Sequence, residues 1–160
     1  MSEFERRLAA RQDELDWLYM ELYGRRDRLN ELKERMAGFH RARSQALRRL
    51  DEQREAAPDW FRAGRMVGMT MYPGLFAGNL KGVEERLGYL QEQGITYLHL
   101  MPLLKMPHPD NDGGYAVEDF DQVDPTLGSN EDLSHLAAAM RRRGMSLCLD
   151  FVINHTADTH

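Results

Sequence analysis

Apolar positions along residues 1–57 recur at helical spacing. Leu8, Leu15, Leu18, Tyr19 and Leu22 fall three, four and seven residues apart, which puts them in one stripe of an amphipathic helix. Gly24 is the expected stop. Leu29, Leu32 and Met36 repeat the pattern, and a second stop is expected at Gly38. Ala46, Leu47 and Leu50 make a third helix before Ala57-Pro58-Asp59-Trp60. The segment is rich in Leu, Ala, Glu, Arg and Gln and holds no proline before Pro58, so local propensity agrees with the periodicity. Such stripes predict a small antiparallel bundle or arm that packs on something else. A coiled-coil dimer is the alternative, weakened because the heptad phase breaks at both glycines.

The pattern changes after Pro58. Met66 to Tyr72 is a short apolar run halted by Pro73-Gly74. Leu80 to Gln93 reads as a helix with Val83, Leu87 and Leu90 on one face and Gly94 at its end. Ile95 to Met101 is a strand closed by Pro102, and a long loop rich in Pro, Asp, Asn and Gly is expected from Lys105 to Gly128. Ser129, with Asp132 three residues on, caps a helix through Leu133, Leu136, Ala137 and Met140 to Gly144. Met145 to Ile153 is nearly all apolar, the mark of a strand buried on both faces in a parallel sheet. The order β–α–β–loop–α–β predicts parallel units, whose functional groups gather beyond the C-terminal strand ends.

Composition sharpens the division. All six prolines and eleven of the thirteen glycines follow residue 57. Residues 1–57 carry 13 basic and 12 acidic side chains, whereas residues 58–160 carry 8 and 14. A helical domain over 1–60 and an α/β domain over 61–160 are therefore expected. The 160 residues bury a core without metal or disulfide but fall short of a closed eight-stranded β/α barrel, which takes about 250. The net charge of −5 disfavours binding to a nucleic-acid backbone. The clusters Arg25-Arg26-Asp27-Arg28 and Arg41-Ala42-Arg43, interleaved with acids, read as a solvated helix face. No apolar run is long enough to span a membrane, and the N-terminal residues lack a signal-peptide core. Cys148 stands alone, so the expected compartment is the reducing cytoplasm.

Two polar clusters sit at the expected strand ends. In Asp150-Phe151-Val152-Ile153-Asn154-His155, an Asp inside an apolar strand is costly unless hydrogen-bonded or ion-paired, and Asn154 and His155 emerge together at the tip. They suit binding of polar hydroxyls; equally, Asp150 caps a neighbouring loop and His155 is a loop histidine. In Asp112-Gly113-Gly114-Tyr115, two glycines permit a tight turn, and the flanking carboxylate and aromatic face suit a sugar, polar at its edge and apolar on its CH face. The alternative is a plain turn. His155 and His160 with Asp158 are a weak zinc pattern, and Asn154 alone defines no calcium site. No Ser-His-Asp triad, phosphate loop or paired acid–base site is present.

The segments Gly94 to Leu103, Asp112 to Val117, Val123 to Gly128 and Asp150 to His155 together resemble the opening of the α-amylase superfamily (glycoside hydrolase family 13) barrel. Asp-x-x-x-Asn-His at the third strand's end is that superfamily's first signature. The helical prelude and the stretch Leu47 to Glu55 followed by Pro58-Asp59-Trp60-Phe61 are similar to the domain junction of its amylosucrase subgroup.

The resemblance implies an α/β fold made of the first three β/α units of a TIM (β/α)8 barrel, truncated, behind an N-terminal helical domain. It implies a retaining α-glucosyltransferase that takes glucosyl from sucrose, releases fructose and extends an α-1,4-glucan. By motif match Asp112, Tyr115 and His155 line the glucosyl subsite, with Tyr115 as stacking platform and His155 on the 6-hydroxyl. Asp150 and Asn154 support the site. No catalytic residue lies in this span, because the family's nucleophile, general acid and third carboxylate belong to strands four, five and seven; the chain alone is expected to be inactive. No metal or cofactor is expected. The implied partners are sucrose and α-glucan, not nucleic acid or membrane, with a homodimer through the N-terminal helices in prospect. One departure is Tyr72-Pro73-Gly74-Leu75-Phe76, which lacks the Asp that the family usually carries between Tyr and Phe. The alternatives are a non-catalytic remnant that binds carbohydrate or a protein partner and, within the superfamily, a sucrose- or trehalose-active hydrolase or isomerase.

Overall fold

The computed structural model describes residues 2–62, 64 and 66–160; Met1, Ala63 and Arg65 lie outside the described residues. It divides into two compact units, residues 1–58 and 59–160.

The first unit is three helices, α1 (Glu3–Tyr23), α2 (Leu29–Ala42) and α3 (Gln45–Ala56). Ser2 opens α1 with a capping box: its hydroxyl accepts from the Glu5 backbone N–H, and the Glu5 carboxylate accepts from the Ser2 N–H. Gly24, at φ 63°, closes the helix as expected. The second expected stop does not occur, because α2 runs through Gly38 to Ala42. One glycine costs a helix only about 1 kcal/mol relative to Ala, less than the break would lose. The real stop lies at Arg43, which is extended ahead of Ser44, the N-cap of α3. Arg48 of α3 donates to the carbonyls of His40, Arg41 and Arg43, satisfying the end of α2 across the turn. The α1 stripe is only partly covered. No α1 residue is fully buried, Leu22 is 73% exposed, and Phe4, Leu8, Leu15, Leu18, Phe39 and Leu47 line an open groove.

The second unit is built on three parallel strands in the order β1–β2–β5: β1 (Gly68–Met71), β2 (Tyr97–Leu100) and β5 (Ser146–Leu149). One face is packed. Met71, Leu98 and Leu100 meet Leu80, Val83, Leu87 and Leu90 of α5 (Leu80–Glu85) and α6 (Leu87–Glu92), and Leu136, Ala139 and Met140 of α7 (Asn130–Arg142). The expected single helix over 80–93 is thus two, broken at Arg86. Pro73 does more than halt the first strand: it is the first residue of the short helix α4 (Pro73–Ala77) and is buried, a position where its missing N–H costs nothing. The Ser129–Asp132 box caps α7 in both directions, as expected.

Two expectations need correction. The segment 105–128 is not all loop: β3 (Leu104–Lys105) pairs antiparallel with β4 (Asp119–Val123). Nor is the last strand buried on both faces. Among the described residues β5 pairs with β2 alone, Leu149 is partly exposed, and beyond the strand Phe151 is 67% and Ile153 81% exposed. Apolarity reports a side chain's preference; what packs on each face decides its exposure.

Candidate active site: polar groups at the strand ends

Pleating sends alternate side chains of each strand to opposite faces. Met69, Met71, Leu98, Leu100 and Leu147 belong to the packed face. Thr70 and His99, register partners, therefore share the other face with Cys148, which is opposite His99 on β5. Asp150, two residues beyond Cys148, continues that column. The His99 ring lies with Nε2 2.8 Å from Asp150 Oδ1 and Nδ1 3.5 Å from Thr70 Oγ1. The other carboxylate oxygen of Asp150 is buried and, among the described residues, without a hydrogen-bond partner.

The segment between β3 and β4 brings the second cluster to the same end of the sheet. The Asn111 side chain accepts from the Gly113 N–H at 2.9 Å and starts the turn. Gly113 and Gly114 both have positive φ. Gly114 is also enclosed, since a Cβ there would stand 2.9 Å from Pro102 Cβ and Met106 Cε. The tight pair thus exists to lay the loop on Pro102 and Met106 and bring Asp112 and Tyr115 round. Asp112 Oδ1 accepts from the Ala116 N–H at 2.8 Å. That bond, helped by the nearby His155 ring, holds the Asp112 carboxyl below the usual carboxylate range. The Tyr115 ring is half-buried, and burial pushes its phenol up, as do the Asp150 carboxylate and Tyr72 hydroxyl facing it.

His155 closes the group. Its Nε2 is 3.8 Å from Asp112 Oδ2, with both side chains about half exposed and free to meet a ligand. Four of the residues singled out in the sequence therefore converge: Asp112 with His155, and Tyr115 with Asp150. Asn154 is exposed and faces a neighbouring depression of about 340 Å³ lined by Phe120, Phe151, Ile153, His155 and Thr156. Among the described residues no three His, Cys, Asp or Glu side chains gather as a metal centre. The arrangement sets a carboxylate 3.8 Å from an imidazole, with the half-buried Tyr115 ring three residues along the same loop, groups suited to hydroxyls and to an apolar face.

Three contributors escaped the sequence pattern. His99 had a detectable signal, since its parity within β2 matches that of Thr70 in β1. Tyr72 stands directly after β1. Asp124 is fully buried and accepts from the Met106 and Thr126 backbone N–H groups, the Thr126 hydroxyl and His108 Nε2, so it ties the loop to the 124–128 turn. Nothing local marks a carboxylate as buried.

The chain is 38% identical over 109 residues to the amino acid transporter heavy chain SLC3A1 of Rattus norvegicus, covering 64% of this chain and 15% of that one. It is 40% identical over 83 residues to the glucan 1,6-alpha-glucosidase of Streptococcus dysgalactiae subsp. equisimilis, covering 52% and 15%. Among solved structures, a variant of the trehalulose synthase MutB in complex with its substrate sucrose matches with a TM-score of 0.55 at 34% identity, over 60% of this chain and 18% of that one. The chain thus spans less than a fifth of the length of each of these relatives. Its three parallel strands match part of the barrel of such enzymes and form an open sheet rather than a closed ring. The family described as alpha amylase, catalytic domain, matches residues 37–160, and the chain belongs to it.

Proposed function

We propose that Asp112, Tyr115 and His155 form the glucosyl-binding part of an active site that acts on sucrose or a closely related α-glucoside with retention of configuration. Asp150 and Asn154 support it from the end of β5. The observation that carries the reading is the approach of His155 to Asp112 from separate segments, beside a half-buried Tyr115. The carboxylate and imidazole hold sugar hydroxyls while the tyrosine ring covers the apolar face. The reaction itself needs a carboxylate nucleophile and a carboxylic acid about 5–5.5 Å apart across the glycosidic bond. None of the five site residues has that role, so the 160-residue chain by itself binds sugar weakly and turns nothing over.

Within the family, the finer reading is an amylosucrase-like transferase that passes glucosyl from sucrose to an α-1,4-glucan. It is supported by the junction residues Leu47 to Phe61 and the helical prelude. A second reading, a sucrose isomerase or α-glucoside hydrolase, is supported by the likeness to the sucrose-bound trehalulose synthase and the 1,6-glucosidase. Both share the same glucosyl subsite.

Saturation-transfer NMR on the 160-residue chain tests the subsite with methyl α-glucoside, sucrose and, as a control, methyl β-galactoside. Transfer to the first two that is lost in Tyr115→Ala and His155→Ala supports the reading. Equal transfer to the galactoside, or none to any of the three, overturns it.

A further inference from the structure

The open face of the sheet carries a column of polar groups that leads to the sugar pocket. Strand register makes Thr70 and His99 partners, and His99 reaches Asp150 across the β2–β5 pair. At 2.8 Å from a carboxylate oxygen, which only accepts, His99 Nε2 carries the ring proton. In the neutral ring Nδ1 is then the acceptor, and it faces the Thr70 hydroxyl at the outer limit of hydrogen bonding. His99 thereby occupies one oxygen of Asp150. The other oxygen is buried and unpartnered among the described residues, and the carboxylate faces the Tyr115 phenol closely enough to help raise its pKa. An aspartate side chain turns about Cα–Cβ and Cβ–Cγ, and the hydrogen bond from His99 to Oδ1 restrains both.

We propose that His99 is a positioning residue for the sugar pocket: by holding Asp150 Oδ1 it fixes the carboxylate that neighbours Tyr115 and so helps set the place of the aromatic platform. The inference rests on the sugar-binding reading for its functional meaning, but its geometry does not depend on it. Asp150 sets the ring tautomer, with the Thr70 hydroxyl on the free nitrogen, and the His99 bond in turn holds the carboxylate beside the phenol. The imidazole acts through Asp150 and touches no sugar atom.

Two measurements on the ¹⁵N-labelled 160-residue chain decide it. Long-range ¹H–¹⁵N spectra at about pH 8, where an ordinary imidazole is neutral, are expected to show His99 as a single tautomer protonated at Nε2. In Asp150→Ala the ring is expected to become a tautomer mixture. The second measurement compares His99→Gln, which keeps a side-chain donor, with His99→Phe, which keeps a ring but no donor. His99→Phe is expected to shift the Tyr115 ring resonances and weaken methyl α-glucoside binding about tenfold, the size expected for a lost bond to a charged group. His99→Gln is expected to restore most of both. Amide spectra that superpose elsewhere show that each variant is folded; if His99→Phe is not, His99→Leu takes its place. A mixed or Nδ1 tautomer in the wild type overturns the proposal, as do unmoved Tyr115 resonances in the donorless variant. If no sugar binds even the wild type, the sugar reading fails, and the tautomer and the Tyr115 resonances still decide the positioning role.

Discussion

His108 Nε2 lies 2.9 Å from Oδ2 of Asp124, a carboxylate with no exposed surface. The bond joins the segment that carries Asp112 and Tyr115 to the turn before α7. Thr126 holds the other oxygen through its backbone N–H and hydroxyl, so both carboxylate oxygens are engaged. A buried acid is tolerated here only because every lone pair in reach has a donor.

Asp124→Asn turns one oxygen into an NH2, which must face either Thr126 or Met106 and His108, all of which donate there. It is expected to destabilise the α/β unit by about 2–4 kcal/mol, measured by urea unfolding. The pH dependence has a defined sign. Burial alone would raise the Asp124 pKa, but the hydrogen bonds from Thr126, His108 and Met106 prevail and lower it. A carboxylate with a depressed folded pKa contributes stability above its unfolded value of about 4 and loses it as pH falls through the folded value. Melting temperature should therefore fall below about pH 4 in the wild type and fall less steeply in Asp124→Asn. Equal slopes would show that other carboxylates carry the acid transition.

Gly114→Ala is expected to cost about 2 kcal/mol or more. An L-residue at φ 91° is strained, and the new methyl would meet Pro102 Cβ and Met106 Cε at 2.9 Å. Because that strain displaces Asp112 and Tyr115, methyl α-glucoside transfer should drop together with stability. A variant as stable as the wild type would remove the close approach as the reason for the glycine.

Leu98 is wholly buried in the central strand and packs into the cluster of Leu87, Leu90 and Leu136. Leu98→Ala should destabilise the unit by about 2–5 kcal/mol. Leu22→Ala, on the open side of α1, should change little, within about 0.5 kcal/mol. Thermal melts followed by circular dichroism compare the two, and a large loss in Leu22→Ala would mean that the C-terminal end of α1 is covered in solution.

The 160-residue chain should self-associate. Phe151 and Ile153 are exposed beside an edge of β5 that is unpaired among the described residues, a combination that invites edge-to-edge pairing. Ile153→Lys should lower the weight-average mass read by light scattering; a monomeric wild type at high micromolar concentration would contradict the expectation.

The helices were legible because their signals are local. Leu8 to Leu22 repeat within a few residues, and the Ser129–Asp132 box and Gly24 act on their own turns. The polar clusters were legible for the same reason: glycines beside Asp112 and Tyr115 mark a bend, and an Asp in an apolar strand stands out at Asp150. Gly38 misled because a stop signal of about 1 kcal/mol yields to a helix that tertiary contacts prolong. The β3–β4 pair was missed because Leu104–Lys105 is too short to show a period.

By itself, then, the order of residues determined a helical unit followed by an α/β unit and which polar groups stand near its strand ends, although the last strand stops at Leu149 rather than at the expected Ile153. Only the tertiary structure decided that His155 meets Asp112, that His99 holds Asp150 across 51 positions of sequence, and that Asp124 lies buried under His108. Those facts depend on strand register and on loops folding back over the sheet. Contacts between distant residues follow from how whole elements pack, and no short stretch of sequence encodes that packing.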